Sequence, residues 1–321
     1  MKKTDYAYCV ARLRANEAYM LKKDFLMKLC ESENLDKALS ALIEEGWIKE
    51  KTGIREIIRL KNNELWTLLN ESVPDKGELN VFCVLNDFFN IKTAVKCAFC
   101  DAEPENYYLY PTSLNLGELT ERARLRDFSS LKIYGAATAE KAYNMALITE
   151  NGQSAEILID RGAIDCLCEY AAAKKSELSN TVCGFLCDTA NIKIALRINA
   201  LGKGRDFAEE AIGNTFKLDR NRLINLALGE REELYSYLLA TVYSEGVSLY
   251  SESTALYEKW CDDRIIDLVS DAKYTAFGFD PVCAFYYGKQ NEIKSVSIIL
   301  TALQSGVAAD EIKERVRALY V

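Results

Sequence analysis

Cysteine is the residue type in this chain best able to do chemistry, and eleven are present without a single histidine. Cys97 and Cys100 have the Cys-x-x-Cys spacing of a metal clip, and Cys183 and Cys187 stand one helical turn apart. A structural zinc takes four ligands, so one such pair with no second pair and no histidine leaves the set half empty. The cysteines fall inside apolar helical patterns, which reads as small buried hydrophobes of a reducing compartment rather than a disulfide framework. A cysteine nucleophile is the one catalytic alternative, and thiol-sensitive turnover would be its mark. Nucleophile-base catalysis through histidine is impossible, and there is no Gly-x-Ser-x-Gly elbow. Gly202-Lys203-Gly204 lacks the upstream glycine spacing of a phosphate loop and follows a helix where a strand is required, so it reads as a helix end. The carboxylate neighbours Glu44/Glu45, Glu209/Glu210 and Asp262/Asp263 diverge around a helix at i,i+1 spacing and read as solvated faces. The expectation is no catalytic residue, no cofactor and no metal ligand.

Basic residues are the group that recurs. Lys92 with Lys96 and Lys193 with Arg197 are i,i+4 pairs, which share one face of a helix, and Lys294 lies 101 residues beyond Lys193, as Lys193 lies beyond Lys92. Two readings stay open. Each basic group pairs with carboxylates of an adjoining helix, or the long helices turn these groups toward a docking protein partner. The aromatics Tyr107, Tyr108, Tyr286 and Tyr287 read as core packing.

These positions sit on three long helices related by a fixed spacing. A shift of 101 residues lays Asn90-Ile91-Lys92 on Asn191-Ile192-Lys193, with Val81/Val182, Leu85/Leu186, Asp87/Asp188 and Ala94/Ala195 identical. The same shift again reaches Glu292-Ile293-Lys294. Such spacing points to a repeat architecture in which each unit buries its apolar faces on its neighbours. The long helices are expected over about 78–100 and 177–204, and behind Pro281, a favourable first-turn residue. Between them, Asn34 reads as an N-cap, Gly46 as a left-handed C-cap, and helices are expected near 64–72, 114–125, 137–149, 155–174, 207–227, 230–245, 253–270 and 310–319. Asp101 to Pro111, with two prolines among turn residues, is the clearest connector.

Composition agrees: four prolines in 321 residues and no strand-turn-strand signal favour helix almost throughout. A net charge of −8 argues against a nucleic-acid partner, whose affinity depends on basic surface. The N-terminus enters a charged helix with no apolar signal core, and the longest uncharged run, 295–309, is too short and polar to span a bilayer.

Tyr6 to Arg14, Asn90-Ile-Lys92, Asn191 to Arg197, Phe277-Gly-Phe-Asp-Pro281, Glu292-Ile-Lys294 and the terminal Arg315-Val-Arg-Ala-Leu-Tyr-Val321 resemble, end to end, the C-type subunits of V-type and archaeal-type ATP synthases, related to the d-type subunits of eukaryotic vacuolar ATPases. One departure is Ile298, which stands where the other repeats have Lys96 and Arg197. The resemblance implies an all-α chain of three similar helical domains, 1–106, 107–207 and 208–321, in a pseudo-threefold funnel. It implies a non-catalytic central-stalk protein that couples the soluble rotor shaft to the membrane rotor ring of an ion-translocating ATPase. The partners implied are the shaft subunits and the ring, with no nucleotide, nucleic acid or direct lipid anchor. The location implied is the cytoplasmic face of a membrane, held there through the complex. Lys92, Lys96, Lys193, Arg197 and Lys294 are the candidate partner-binding residues. A helical scaffold in another assembly is the alternative.

Overall fold

Helix ends are where this sequence speaks most plainly. Asn34 accepts a hydrogen bond from the Lys37 amide and opens a helix, and Gly46 closes it at φ 75°, a left-handed conformation that costs glycine nothing. Gly202, at φ 60°, ends the central helix in the same way. Pro281 sits in the first turn of the last long helix, where its missing N–H is not needed.

The computed structural model describes residues 3–129, 136–149, 152–173 and 176–321. Among them every regular element is helical. In chain order the α-helices are α1 Ala7–Glu17, α2 Lys23–Cys30, α3 Leu35–Glu44, α4 Ile54–Ser72, α5 Val84–Cys100, α6 Leu116–Leu125, α7 Ala136–Thr149 and α8 Gly152–Ala172. They continue with α9 Glu177–Leu201, α10 Arg205–Ala211, α11 Arg220–Ala227, α12 Arg231–Leu239, α13 Ser244–Glu252, α14 Thr254–Val269, α15 Asp280–Gln304 and α16 Ala309–Arg315. None of the described helices is long and apolar enough to cross a membrane.

The all-α reading holds, and several boundaries move. Residues 76–82 wind as a 3-10 helix, so the first long helix starts at Val84 rather than near 78. The stretch 207–227 is two helices separated by an irregular segment, and the 230–245 helix stops at Leu239. The last helix ends at Arg315, leaving an extended tail. The helix expected to end at Lys174 is α8, and Lys174 lies outside the described residues.

Two compact units emerge. The first comprises 1–76, 176–179 and 244–321. Its beam is α15, on which α1, α2, α3, α4, α14 and α16 pack. Leu26, Leu29, Leu39, Leu42 and Trp47 meet Ile293, Val296, Ile299 and Leu300 there, all essentially out of water. Each such side chain contributes about 1.5–3 kcal/mol on burial, so this cluster is the main reason the unit holds together. The second unit comprises 77–175 and 180–243. In it α5 packs on α6, α7 and α8, and α8 on α7 and α10. Val182 to Phe185 are four consecutive buried residues of α9, so that stretch is enclosed on all sides and cannot show an amphipathic stripe.

Candidate partner interface

Each long helix uses one asparagine to hold an extended stretch of chain that comes after it. Asn90 of α5 donates to the Leu109 carbonyl at 3.0 Å and accepts from the Leu109 amide at 2.7 Å. Asn191 of α9 donates to the Asn214 carbonyl at 2.8 Å and accepts from the Gly213 amide at 2.9 Å. Asn291 of α15 donates to the carbonyls of Ala318 at 3.2 Å and Asp262 at 3.1 Å. An extended segment with no strand beside it must find partners for its backbone groups, and the carboxamides of Asn90 and Asn191 supply a donor and an acceptor at once, whereas Asn291 serves as a donor.

A carboxylate one turn earlier completes two of these clasps. Asp87 accepts from Thr112 Oγ1, from Ser113 Oγ and from the Ser113 amide. Burial pushes its carboxyl above the ordinary carboxylate range, and the hydrogen bonds from Ser113 and Thr112 pull against that. Asp188 accepts from the Phe216 and Lys217 amides, both at 2.7 Å, and from Tyr243 Oη at 2.6 Å. Burial, and then the neighbouring Asp188 charge, raise the Tyr243 phenol, which keeps it a donor. In α15 the corresponding position is Gly288. A Cβ there would lie 2.6 Å from Tyr320 Cβ, so the glycine lets the tail lie directly on the helix.

These clasps set the register of the third helix. Val182/Val282, Cys183/Cys283, Phe185/Phe285 and Asn191/Asn291 match at a shift of 100, one less than the spacing read through Glu292. Glu292 does something else. Fully buried, it accepts from Trp47 Nε1 at 2.7 Å, from the Leu21 amide at 2.8 Å and from Lys289 Nζ at 2.5 Å, pinning the segments around Leu21 and Trp47 to α15. The motifs at the two chain ends also meet, since Arg14 donates to Tyr320 Oη at 3.2 Å and to the Ala272 carbonyl at 2.6 Å. The asparagine clasps are not legible in the sequence because their partners are backbone groups 19 to 29 residues away, which no residue pattern encodes.

The five basic positions lie on the same three helices, Lys92 and Lys96 on α5, Lys193 and Arg197 on α9, and Lys294 on α15. Lys92 pairs with Asp160 of α8 at 2.6 Å, and Lys96 pairs with Glu156 of α8 at 2.9 Å. The Glu156 hydrogen bond holds the Lys96 ammonium above its usual range. Lys294 pairs with Asp262 of α14 at 2.5 Å, and Asp262 also takes Arg317 at 2.8 Å. Lys193 is half-buried on α9, and Arg197 is exposed one turn further on with no ion-pair partner among the described residues. An exposed pair such as Lys96–Glu156 contributes about 0–1 kcal/mol, whereas Lys92 and Asp262 are partly buried in theirs. α5 also exposes Leu85, Phe89 and Phe99. Of the tyrosines read as core, Tyr108 and Tyr286 are buried, whereas Tyr107 is 58% exposed. Cys97 is buried and Cys100 exposed, and the described residues contain no group of three or more metal-ligating side chains.

An all-helical protein whose long helices act as beams and hold later stretches of chain through backbone clasps is the class that fold and site define. The sequence profile of the ATP synthase (C/AC39) subunit matches residues 9–315, nearly the whole chain, and the protein belongs to that family. Among its relatives is the C-type subunit of the V-type sodium ATPase of Enterococcus hirae, 20% identical over 328 residues that cover 96% of this chain and 97% of that protein. The C-type subunit of the A-type ATP synthase of Methanocaldococcus jannaschii is 23% identical, covering 96% of this chain and 85% of its own length. That of Pyrococcus abyssi is also 23% identical, over 99% of this chain and 92% of its own.

Proposed function

We propose that this chain is a non-catalytic central-stalk protein of a V-type or A-type rotary ATPase, joining the soluble shaft to the membrane rotor ring so that torque links ATP turnover to ion transport. The observation that carries the reading is family membership across residues 9–315, with two C-type subunits of rotary complexes aligned over nearly their full length and a third over most of it. The units 1–106, 107–207 and 208–321 form a pseudo-threefold funnel in this reading, and the recurrence of the clasp at Asn90, Asn191 and Asn291 supports it. A helix of 25 residues such as α9 is about 37 Å long and makes a stiff wall for a socket.

Lys92, Lys96, Lys193, Arg197 and Lys294 are the partner-facing groups in this proposal. Arg197 has the strongest support, because it gives its charge to no carboxylate among the described residues. Lys92, Lys96 and Lys294 would exchange an intramolecular carboxylate for one on the partner, at least cost for Lys96, whose pair with Glu156 is exposed on both sides. The protein reaches the cytoplasmic face of the membrane through the complex. A tagged full-length chain purified from gently solubilised membranes tests this. Recovery with an ATPase-active complex containing rotor-ring subunits is the expected result, and recovery only with soluble proteins unrelated to rotary motors would overturn it.

A further inference from the structure

The groove between α8, α9 and α10 is a surface whose charge and shape select one kind of occupant. It encloses about 240 Å³, and its floor is apolar, made by Ile157, Ile194, Ile198 and Phe207. Leu201, at its lip, is 65% exposed and adds to the apolar surface of the groove. Two cations stand on the rim. Arg197 projects one turn before Leu201, and Lys203 follows the left-handed Gly202 and lies over the Phe207 ring at 5.3 Å. Neither has an ion-pair partner among the described residues.

The carboxylates that line the same groove do not compensate these charges. Glu156 and Asp160 face α5 as well, where Lys96 and Lys92 already neutralise them at 2.9 and 2.6 Å. Two positive charges are therefore left over beside an apolar floor, in a chain whose net charge is −8. An apolar hollow rimmed by unpaired cations is the complement of a helix with one large apolar side chain and a carboxylate about one turn away, the usual anchor-and-rim arrangement of a helix laid in a groove. Like-charged rims would reject a basic helix, so the cations also set specificity.

We infer that this groove docks an acidic amphipathic helix of another protein in the assembly, an apolar side chain filling the hollow and a carboxylate meeting Arg197 and Lys203. The inference rests on the stalk reading for the identity of that assembly, and it gives the partner's chemistry at Arg197.

Photo-crosslinking in the membrane complex tests it. The full chain, with benzoylphenylalanine in place of Leu201, is assembled in the cell, irradiated and purified, and the crosslinked peptide is sequenced. The expected product joins residue 201 to a helix of a different rotor protein with Asp or Glu within four residues of the attachment point. Arg197→Glu with Lys203→Glu should lower its yield on the order of tenfold or more, and changing the partner's carboxylate to Lys should restore it. Because neither cation has an ion-pair partner among the described residues and only the Lys203 contact with the Phe207 ring is lost, the double variant should melt close to the wild-type temperature, which separates lost docking from lost fold. A chain that co-purifies with the ATPase but crosslinks at 201 only to itself, to a second copy or to a helix without a carboxylate overturns the groove while the stalk reading stands. An unchanged yield in the double variant does the same. Failure to co-purify with any ATPase overturns both.

Discussion

Replacing Asp188 with alanine should do more damage than any other single change on α9. The carboxylate is fully buried and accepts three hydrogen bonds, from the amides of Phe216 and Lys217 and from Tyr243 Oη. Hydrogen bonds to a charged acceptor contribute about 1.5–3 kcal/mol each, and three donors left without an acceptor each cost about 1–3 kcal/mol. Against that, deletion relieves the desolvation of a buried carboxylate, worth several kcal/mol. The balance places Asp188→Ala at a loss of about 3–5 kcal/mol, the range found when one partner of a buried charged network is removed. Tyr243→Phe, which removes one of the three bonds, should cost about 1 kcal/mol. Arg197→Ala, on the same helix but exposed, should stay within about 0.5 kcal/mol of wild type. Urea unfolding gives the size of the effect, but with two compact units the transition need not be two-state. Amide hydrogen exchange at 216 and 217 therefore accompanies it, because those protons, in the segment between α10 and α11, should lose protection before those of α9. An Asp188→Ala chain within about 1 kcal/mol of wild type, with both amides still protected, would refute the clasp as a stabilising device.

Three further outcomes follow from the same geometry. Gly288→Ala drives a methyl into Tyr320 and should cost about 1–3 kcal/mol while making the C-terminal tail sensitive to carboxypeptidase; an unchanged melting temperature and a protected tail would contradict it. Asp87 has its folded pKa raised, so the unfolded chain releases that proton first and stability falls as pH rises from the ordinary carboxylate range through the folded value. Asp87→Asn should abolish that part of the slope, so wild type loses stability relative to the variant across this window, and a pH-independent difference would count against it. Burial lifts the thiols of Cys9 and Cys30 to about 11, whereas Cys100 is exposed, so at pH 8 a disulfide reagent should label Cys100 in the native chain and leave Cys9 and Cys30 untouched until unfolding.

The elements that were legible are those specified locally. The Asn34 cap, the left-handed Gly46 and Gly202 and the first-turn Pro281 act on their own helices, and each helix ends or begins where its residue says. The break at 212–219 was not legible. Ile212, Leu218 and Leu223 are all buried and keep the apolar pattern running, while Asn191 and Asp188, 22 to 29 residues away, pull the backbone out into an extended path. Tertiary hydrogen bonds there override helix propensity. The tail behaves alike: Arg317 donates its amide to Ser295 Oγ and Ala318 donates to Asp263, so a helix-like sequence lies extended. The basic positions could be found from i,i+4 spacing, but their carboxylates could not, since Asp160 is 68 residues from Lys92. The match of Ile293-Lys294 at a shift of 101 differs by one residue from that of the buried Val282, Cys283, Phe285 and Asn291, which align with α9 at 100.

The coupling role meets its most direct test in membranes that contain the rotary complex but lack this chain. Such a complex, or its detached head, should still hydrolyse ATP while ATP-driven ion uptake into vesicles is absent, and adding back the purified chain should restore uptake in proportion to the amount bound. Ion pumping at the full rate without the chain, or no recovery when the chain binds stoichiometrically, would contradict the claim that it joins shaft to ring.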